Sequence, residues 1–253
     1  MRIGVLTGGG DCPGLNPAIR AVVRRAETYE YEVLGFKNGW AGMLGEGDAE
    51  RLTQASVSGI LPLGGTMLGT SRTNPLKKEE HVQQVQENFR RYGLDALVAI
   101  GGDDTLSVAA RLHERGLKTV GCPKTMDNDV RNTEYCIGFS TAITRAESAI
   151  QRQRTTVGSH ERIGIFRVFG RDAGYTALYT AYVTNIRCVI PEYKVDLDKL
   201  IHLLVEDKRS NPSNYSLVIL SEGAEWVGYE TIHVGEADAF GHQKKVNVGD
   251  VLA

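Results

Sequence analysis

Residues 123–129 read Pro-Lys-Thr-Met-Asp-Asn-Asp, and this heptapeptide concentrates acid–base chemistry. Asp127 and Asp129 are two residues apart, with the Asn128 amide between them and Lys124 three residues before the first. Such a set could take a proton, hold a metal or bind a phosphoryl group. It could equally be a polar turn capping the helix that follows. Five other clusters invite the same question. They are Gly8-Gly9-Gly10-Asp11, the glycine-rich run from Gly64 to Arg72, Gly101-Gly102-Asp103-Asp104-Thr105, Gly170-Arg171-Asp172-Ala173-Gly174 and Ser221-Glu222-Gly223-Ala224. Glycine loops ahead of helices offer free N–H groups and the positive end of a helix dipole to an anion. A tight turn would use the same residues. Arg72 is either a phosphoryl clamp or an ordinary surface charge. Adjacent aspartates at 103 and 104 exceed what a helix cap needs, which favours Mg²⁺ or phosphate.

The elements that must position these clusters alternate. Apolar runs at Arg2–Thr7, Glu32–Lys37, Leu94–Ile100, Lys118–Gly121, Glu161–Phe169, Arg187–Ile190 and Asn214–Leu220 read as strands. Helical stretches come between them. These include a polar Lys77–Tyr92 expected on the outside, a long Ser140–Val157, and Val195–Arg209 with Asp196 as its N-cap. Trp40–Asp48 reads as loop, Gly228–Val248 as irregular or a hairpin, and Gly249–Ala253 as a first helical turn. Strand–helix alternation predicts parallel sheets with right-handed crossovers. Two doubly wound, Rossmann-like α/β domains are expected, 1–138 and 139–253, with the active site between them. Ligands in such folds bind beyond the carboxyl ends of the strands, where five of the clusters fall, those at Gly8, Gly101, Pro123, Gly170 and Ser221. Carboxylates, arginines, a lysine and glycine loops gathered there are the inventory of Mg²⁺-assisted phosphoryl transfer, with Asp127 or Asp129 as the base.

Composition narrows the alternatives. A net charge of −2 gives no general attraction to nucleic acid or an anionic membrane. No apolar run approaches the ~20 residues that span a bilayer, and the N-terminus does not read as a signal peptide. Cysteines at 12, 122, 136 and 188 form no C-x-x-C pair, so a reduced cytoplasm is expected. The first glycine loop is neither G-x-G-x-x-G nor a Walker A loop. A dinucleotide enzyme would also want an acid ending the second strand, where Lys37-Asn38 stand.

In order and approximate spacing, GGGDCPGLN (from Gly8), GGTMLGTSR (from Gly64), GGDDT (from Gly101), PKTMDND (from Pro123), FGRDAG (from Phe169) and SEGA (from Ser221) resemble the motifs of the 6-phosphofructokinases. The resemblance runs over essentially the whole chain. It implies that Asp127 takes the proton from the sugar's 1-hydroxyl, with Thr125, Met126 and Asp129 beside it on the sugar. It implies Mg²⁺ on Asp103. Gly10, Arg72, Gly102, Asp104 and Lys124 would lie at the phosphoryl donor. Phe169, Gly170 and the catalytic Arg171 would lie over the site, and Glu222 on sugar hydroxyls. Arg162 would reach the 6-phosphate across a subunit interface, implying a homodimer or homotetramer.

Donor choice follows from two positions. ATP-using members resemble GGDG[ST] with PGTIDND, where this chain has Asp104 and Lys124. A carboxylate at 104 adds bulk and negative charge where a nucleotide's inner phosphate would lie. A lysine at 124 adds a point charge suited to a small, dense anion. Together they resemble the pyrophosphate-dependent branch, and Gly59–Leu76 (GILPLGGTMLGTSRTNPL) resembles its mixed-substrate bacterial group. The expected reaction is reversible phosphoryl transfer from pyrophosphate to fructose 6-phosphate, in glycolysis or gluconeogenesis. Alternatives are an ATP-dependent phosphofructokinase and a truncated, non-catalytic phosphate- or nucleotide-binding homologue. The chain departs from the family pattern at Phe169 (usually Met), Arg167 (usually Glu) and Met126 (for Ile). The family also continues past this chain's end through a GHxQRGG segment that helps bind the 6-phosphate. Gly241-His242-Gln243 superficially resembles it but lacks the Arg-Gly-Gly.

Overall fold

The computed structural model describes residues 1–228, 233–234, 236–237, 239–241, 244–245 and 248–253. The chain forms two compact units. One comprises Met1–Thr125, Val130–Gly138 and Ala237–His242; the other comprises Met126–Asp129, Phe139–Glu236 and Gln243–Ala253.

The first unit is built on a six-stranded sheet. Its strands are β1 (Arg2–Thr7), β2 (Glu32–Phe36), β3 (Ala49–Leu52), β4 (Ala96–Gly101), β5 (Thr119–Thr125) and β6 (Ile137–Gly138), in the spatial order β3-β2-β1-β4-β5-β6. All neighbours are parallel except β2 and β3. Successive strand residues point to opposite faces, so the sheet feeds two cores. Leu6, Leu97 and Ala99 pack on one side with Val82, Val85, Val108 and Leu112, which come from helices α2 (Glu79–Arg91) and α3 (Asp103–Glu114). Val5 and Ile100 pack on the other with Leu15, Ile19, Val23 and Ala26, the apolar stripe of α1 (Leu15–Glu27).

The second unit centres on a parallel three-stranded sheet, β7 (Ile163–Val168), β9 (Ser216–Ser221) and β8 (Arg187–Val189), with β9 in the middle and buried throughout. The same alternation feeds two cores. Val218 and Leu220 meet Leu200 and Leu204 of α6 (Leu197–Ser210). Ile219 meets Ile150 of α4 (Phe139–Ser159) with Ala177 and Ala181 of α5 (Tyr175–Thr184). Asp196 caps α6 as expected, accepting from the Lys199 amide at 3.1 Å. The short strands β10 (His233–Val234) and β11 (Lys244–Lys245) pair antiparallel, and α7 (Val248–Leu252) ends the chain. The His242-Gln243 pair singled out in the sequence lies outside the described residues. Among the described residues no helix is long and apolar enough to cross a membrane.

Four expectations need correction. The sheet is not uniformly parallel: β3 returns antiparallel against β2, and the stretch read as loop before it holds a 3₁₀ turn at Gly39–Met43. That turn is fastened by Asn88, whose amide donates to Met43 and Gly45 carbonyls at 3.0 Å each. Helix α2 is therefore not simply an outer polar helix, since Val82, Val85 and Asn88 are buried. Strand β5 does not stop at Gly121. It continues through Thr125 because β4 offers Gly101 opposite Pro123, and β6 offers Ile137 and Gly138 opposite Lys124 and Thr125.

One buried side chain ties the second glycine-rich run to the first helix. Asn16 donates to the Leu63 and Gly64 carbonyls at 3.2 Å each and accepts from the Met67 amide at 2.7 Å. Removing it leaves three backbone groups to find water, which costs about 1–3 kcal/mol. Asn16→Ala should lower the urea-unfolding free energy by that amount; an unchanged midpoint would show that the run holds itself.

Candidate active site

Strand succession in the six-stranded sheet reverses between β1 and β4: β2 and β3 lie on one side of β1, and β4, β5 and β6 on the other. The carboxyl ends of adjacent parallel strands at such a reversal form the usual ligand crevice of an open α/β sheet. Here those ends carry Gly8–Gly10 and Gly101–Asp104. The Gly8 amide donates to the Ile100 carbonyl at 2.9 Å, drawing the two loops together. Buried Thr105 fills the remaining space. A Cβ on Gly8 would lie 2.5 Å from its hydroxyl oxygen, and one on Gly101 2.4 Å from its Cβ. Gly10 is different, because a Cβ there would meet no described atom within 4 Å. The fold itself does not require the missing side chain at 10; an approaching ligand would.

The Gly64–Arg72 run is fastened alongside. The Ser71 carbonyl accepts from the Gly9 amide at 3.2 Å, Thr70 Oγ1 donates to the Gly9 carbonyl at 2.7 Å, and Thr7 Oγ1 donates to Gly69 at 2.8 Å. Arg72 ends that run with an exposed side chain. Lys124 comes from β5, is only 3% exposed, and donates from Nζ to the Gly10 carbonyl at 2.7 Å. Gly102 precedes α3, whose first turn holds exposed Asp103 and half-buried Asp104. In this unit the structure thus brings together Gly10, Arg72, Gly102, Asp103, Asp104 and Lys124. Thr125 ends β5, half-buried. Among the described residues no group of three or more His, Cys, Asp or Glu could cage a metal. An exposed Asp103 at a strand end nevertheless fits Mg²⁺, which commonly takes one or two carboxylates and completes its shell with water and substrate phosphates.

In the second unit the carboxyl ends of β7 and β9 are neighbours, with Val168 opposite Ser221. The Glu222 amide donates to Val168 and the Gly223 amide to Gly170, both at 2.9 Å. The two loops press so closely that a Cβ on Gly223 would fall 1.8 Å from the Arg171 carbonyl oxygen. The main chain that carries Glu222 and Arg171 is therefore held in place by backbone contacts. Phe169 is 63% exposed beside them. The Met126–Asp129 turn belongs to this unit too, with Asn128 in the left-handed region at φ 54°. Thr176, in the first turn of α5, donates its hydroxyl proton to the Met126 carbonyl.

Asp127 is pushed up to about 6 from the ordinary carboxylate value. Burial is the largest cause. The negative charges of Asp129 and Glu222 add to it, Arg171 opposes it, and Asp172 contributes in the same direction as the other carboxylates. A carboxyl group so placed can accept or return a proton close to neutral pH. Asp127, Asp129, Arg171 and Glu222 thus form one electrostatic cluster, with Phe169 and Gly170 at its edge. Arg162 does not join it. It precedes β7 at the opposite end of the strand, ~20 Å away by the rise of six extended residues. A cavity of about 450 Å³ lined by Arg154, Arg187, Asp207 and Tyr215 also lies toward the amino ends of β8 and β9, and contains none of the cluster.

Three contributors carried no signal that sequence reasoning used: Thr176 under the Asp127 turn, Asn16 under the Gly64 run, and Thr105 as the spacer between glycine loops. Asn16 and Thr105 stood inside quoted motifs, but the bonds of Asn16 to the Gly64 run and the clearance role of Thr105 exist only once distant segments are adjacent.

The raised proton affinity of Asp127 has a consequence for stability. The folded state holds this proton more tightly than the unfolded chain, so the contribution is fully present below about pH 4 and is lost as pH rises through about 6. An amide carries no such charge. Between pH 4 and pH 7 the stability of Asp127→Asn relative to the unsubstituted protein should therefore shift in the variant's favour, by on the order of 1–3 kcal/mol. Thermal or urea unfolding across that range checks it; a pH-independent difference would contradict the burial.

Comparison with known proteins bears on the family and the fold. The family described as Phosphofructokinase matches residues 2–249. A protein of Dictyoglomus thermophilum named pyrophosphate–fructose 6-phosphate 1-phosphotransferase is 47% identical over 256 residues, covering 100% of this chain and 73% of its own length. A Streptomyces coelicolor protein named ATP-dependent 6-phosphofructokinase 3 is 41% identical over 256 residues, covering 100% of this chain and 74% of its own length. Among solved structures, phosphofructokinase from Saccharomyces cerevisiae superposes with a TM-score of 0.79 at 31% identity, over 89% of this chain and 34% of that one. The order of the strand-end loops, the chain-long match and the shared fold together place this chain in the phosphofructokinase family.

Proposed function

We propose that this chain catalyses transfer of a phosphoryl group from pyrophosphate to the 1-hydroxyl of fructose 6-phosphate, giving fructose 1,6-bisphosphate and phosphate. The observation that carries the reading is Lys124. A lysine 3% exposed whose ammonium meets the Gly10 carbonyl at 2.7 Å puts a compact positive charge against the first glycine loop. That suits a small anion of high charge density. Half-buried Asp104 adds negative charge and bulk at the start of α3, which disfavours the further phosphate of a nucleotide. The name carried by the 47%-identical relative points the same way.

On this reading residues 1–138 serve the donor, apart from the Thr125–Asp129 segment, and residues 139–253 with that segment serve the sugar phosphate. Gly10, Gly102 and Arg72 receive the pyrophosphate with Lys124. Asp103 holds Mg²⁺, which when bound neutralises phosphate oxygens. Asp127 accepts the proton as the 1-hydroxyl attacks phosphorus, the phosphorus–oxygen bond to the leaving phosphate breaks, and Arg171 offsets the charge that develops. Thr125, Met126 and Asp129 hold the sugar at the Asp127 turn. Glu222 takes hydroxyl groups, and Phe169 and Gly170 border them. Arg162, remote within one chain, acts on the 6-phosphate of a neighbouring subunit in a homodimer or homotetramer. The protein works in the cytoplasm, in glycolysis or its reverse. The bonds broken and made are similar in energy, so the reaction runs both ways.

The acid–base assignment sets opposite pH dependences for the two directions. Sugar phosphorylation needs ionised Asp127, so kcat should fall as pH drops below about 6. The reverse reaction needs the protonated acid and should weaken above that value. Asp127→Asn should lower kcat by ~10²–10⁴-fold. Retention of full turnover would instead favour a non-catalytic binding role.

An ATP-dependent enzyme is the second reading, favoured by the 41%-identical relative of that name. Initial rates with fructose 6-phosphate and Mg²⁺, with either pyrophosphate or ATP, decide between them. Brisk turnover with ATP alone would overturn the donor assignment. Asp104→Gly with Lys124→Gly should lower kcat/KM for pyrophosphate at least ~10-fold, on the order expected for losing a charge-assisted phosphate contact.

A further inference from the structure

The peptide plane that joins Met126 to Asp127 has a dedicated support. Thr176 is 3% exposed and lies in the first turn of α5, where its Oγ1 donates to the Met126 carbonyl at 2.5 Å. Residues 126 and 176 are 50 apart in sequence, so the bond is tertiary rather than a local turn. The Met126 carbonyl and the Asp127 amide belong to one rigid plane. The Asp127 Cα lies in the same plane, so fixing the carbonyl fixes the N–Cα bond from which the Asp127 side chain starts and narrows where its carboxyl group can go.

The support is itself anchored. Glu192 accepts from the Gly174 amide at 2.7 Å, just ahead of α5, and a Cβ on Gly174 would crowd Ile190 at 2.4 Å. Ala177 and Ala181, on the same helix, pack in the core with Ile150 and Ile219. The Thr176 hydroxyl thus projects from a helix held by sheet and core toward a turn with a left-handed residue at Asn128.

We propose that Thr176 is a positioning residue for the reaction assigned above: its hydroxyl holds the Met126–Asp127 peptide in the orientation that keeps the Asp127 carboxyl buried and aimed at the sugar hydroxyl. This rests on the reading of Asp127 as the base. Asp129, Glu222, Asp172 and Arg171 are the charged groups that act on that carboxyl. Loosening the turn admits water to it, and burial is the strongest influence holding its proton affinity up.

The test compares Thr176→Val, which keeps shape and removes the hydroxyl, with Thr176→Ser, which keeps the hydroxyl. Each is measured in the full chain for kcat and KM with fructose 6-phosphate, pyrophosphate and Mg²⁺ across the acid limb. The expected result is a fall in kcat of about tenfold or more for the valine variant, with KM for the sugar phosphate within about threefold. Its acid limb should move to lower pH, and the serine variant should have kcat within about twofold of the unsubstituted protein. Where the valine variant does not fold, Thr176→Ala is held to the same criteria, and the serine variant must still retain kcat. Any other pattern overturns the proposal, including lowered thermal stability with kcat and acid limb unmoved, which is what a purely structural helix anchor would give. Asp127→Asn is run alongside. Full activity in that variant sinks the base assignment itself, whereas a dead Asp127→Asn with an unaffected Thr176→Val sinks only the positioning role.

Discussion

Backbone clearance at the carboxyl ends of parallel strands is the constraint on which both halves of this protein depend. In the first unit Gly8 and Gly101 approach the two sides of one buried threonine, with room for hydrogen and nothing larger. In the second, Gly223 meets the Arg171 carbonyl so closely that no side chain could be accommodated. Neighbouring parallel strands bring their loops to the same edge, and the hydrogen bonds Gly8–Ile100 and Glu222–Val168 continue the ladder into those loops. Functional side chains at these edges inherit sheet-like precision. Arg171 and Glu222 need not hold each other in place, because the main chain beneath them is already fixed.

That rigidity makes room for an unfavourable electrostatic arrangement. Asp127 is half-buried and has Asp129, Glu222 and Asp172 acting on it, with Arg171 as the opposing charge. In a pliant loop these carboxylates would separate and hydrate. A helix-borne hydroxyl at Thr176 and locked loops at Gly170 and Gly223 oppose that relaxation. Local destabilisation of this kind is common where a group must change protonation near neutral pH, and the surrounding fold must supply the offsetting stability. The fully buried β9 is well suited to that role, since it carries Glu222 directly at its end.

Much of this was legible in the sequence. Apolar runs located all the strands that bear site loops, and the strand–helix alternation gave the parallel core. The charged clusters marked the strand ends because polar residues have little other reason to concentrate beside glycine there. What stayed hidden depended on tertiary partners. The β3 strand, Ala-Glu-Arg-Leu, has no apolar alternation of its own and exists because β2 had an open edge. The continuation of β5 through Pro123 required knowing that β4 and β6 present Gly101, Ile137 and Gly138 opposite it. Thr176 and Asn16 have ordinary residue types at ordinary helix starts, and their meaning lies in which distant carbonyl or amide they reach.

The heptapeptide at 123–129 divides along this same line. Its first three residues are strand, hydrogen-bonded into the six-stranded sheet, and Lys124 is held there with its ammonium on the Gly10 carbonyl. From Met126 the chain belongs to the other unit, where Thr176 takes over its support. Three residues separate the lysine assigned to the donor from the aspartate assigned to the acceptor, a reach of at most ~11 Å along the chain. The sequence alone suggested a single polar loop. A strand end followed at once by an anchored turn is more demanding, because neither residue can shift without distorting a framework of its own. On the proposed reading, donor choice and proton transfer are distinct jobs on one short covalent segment, each enforced by a different part of the fold.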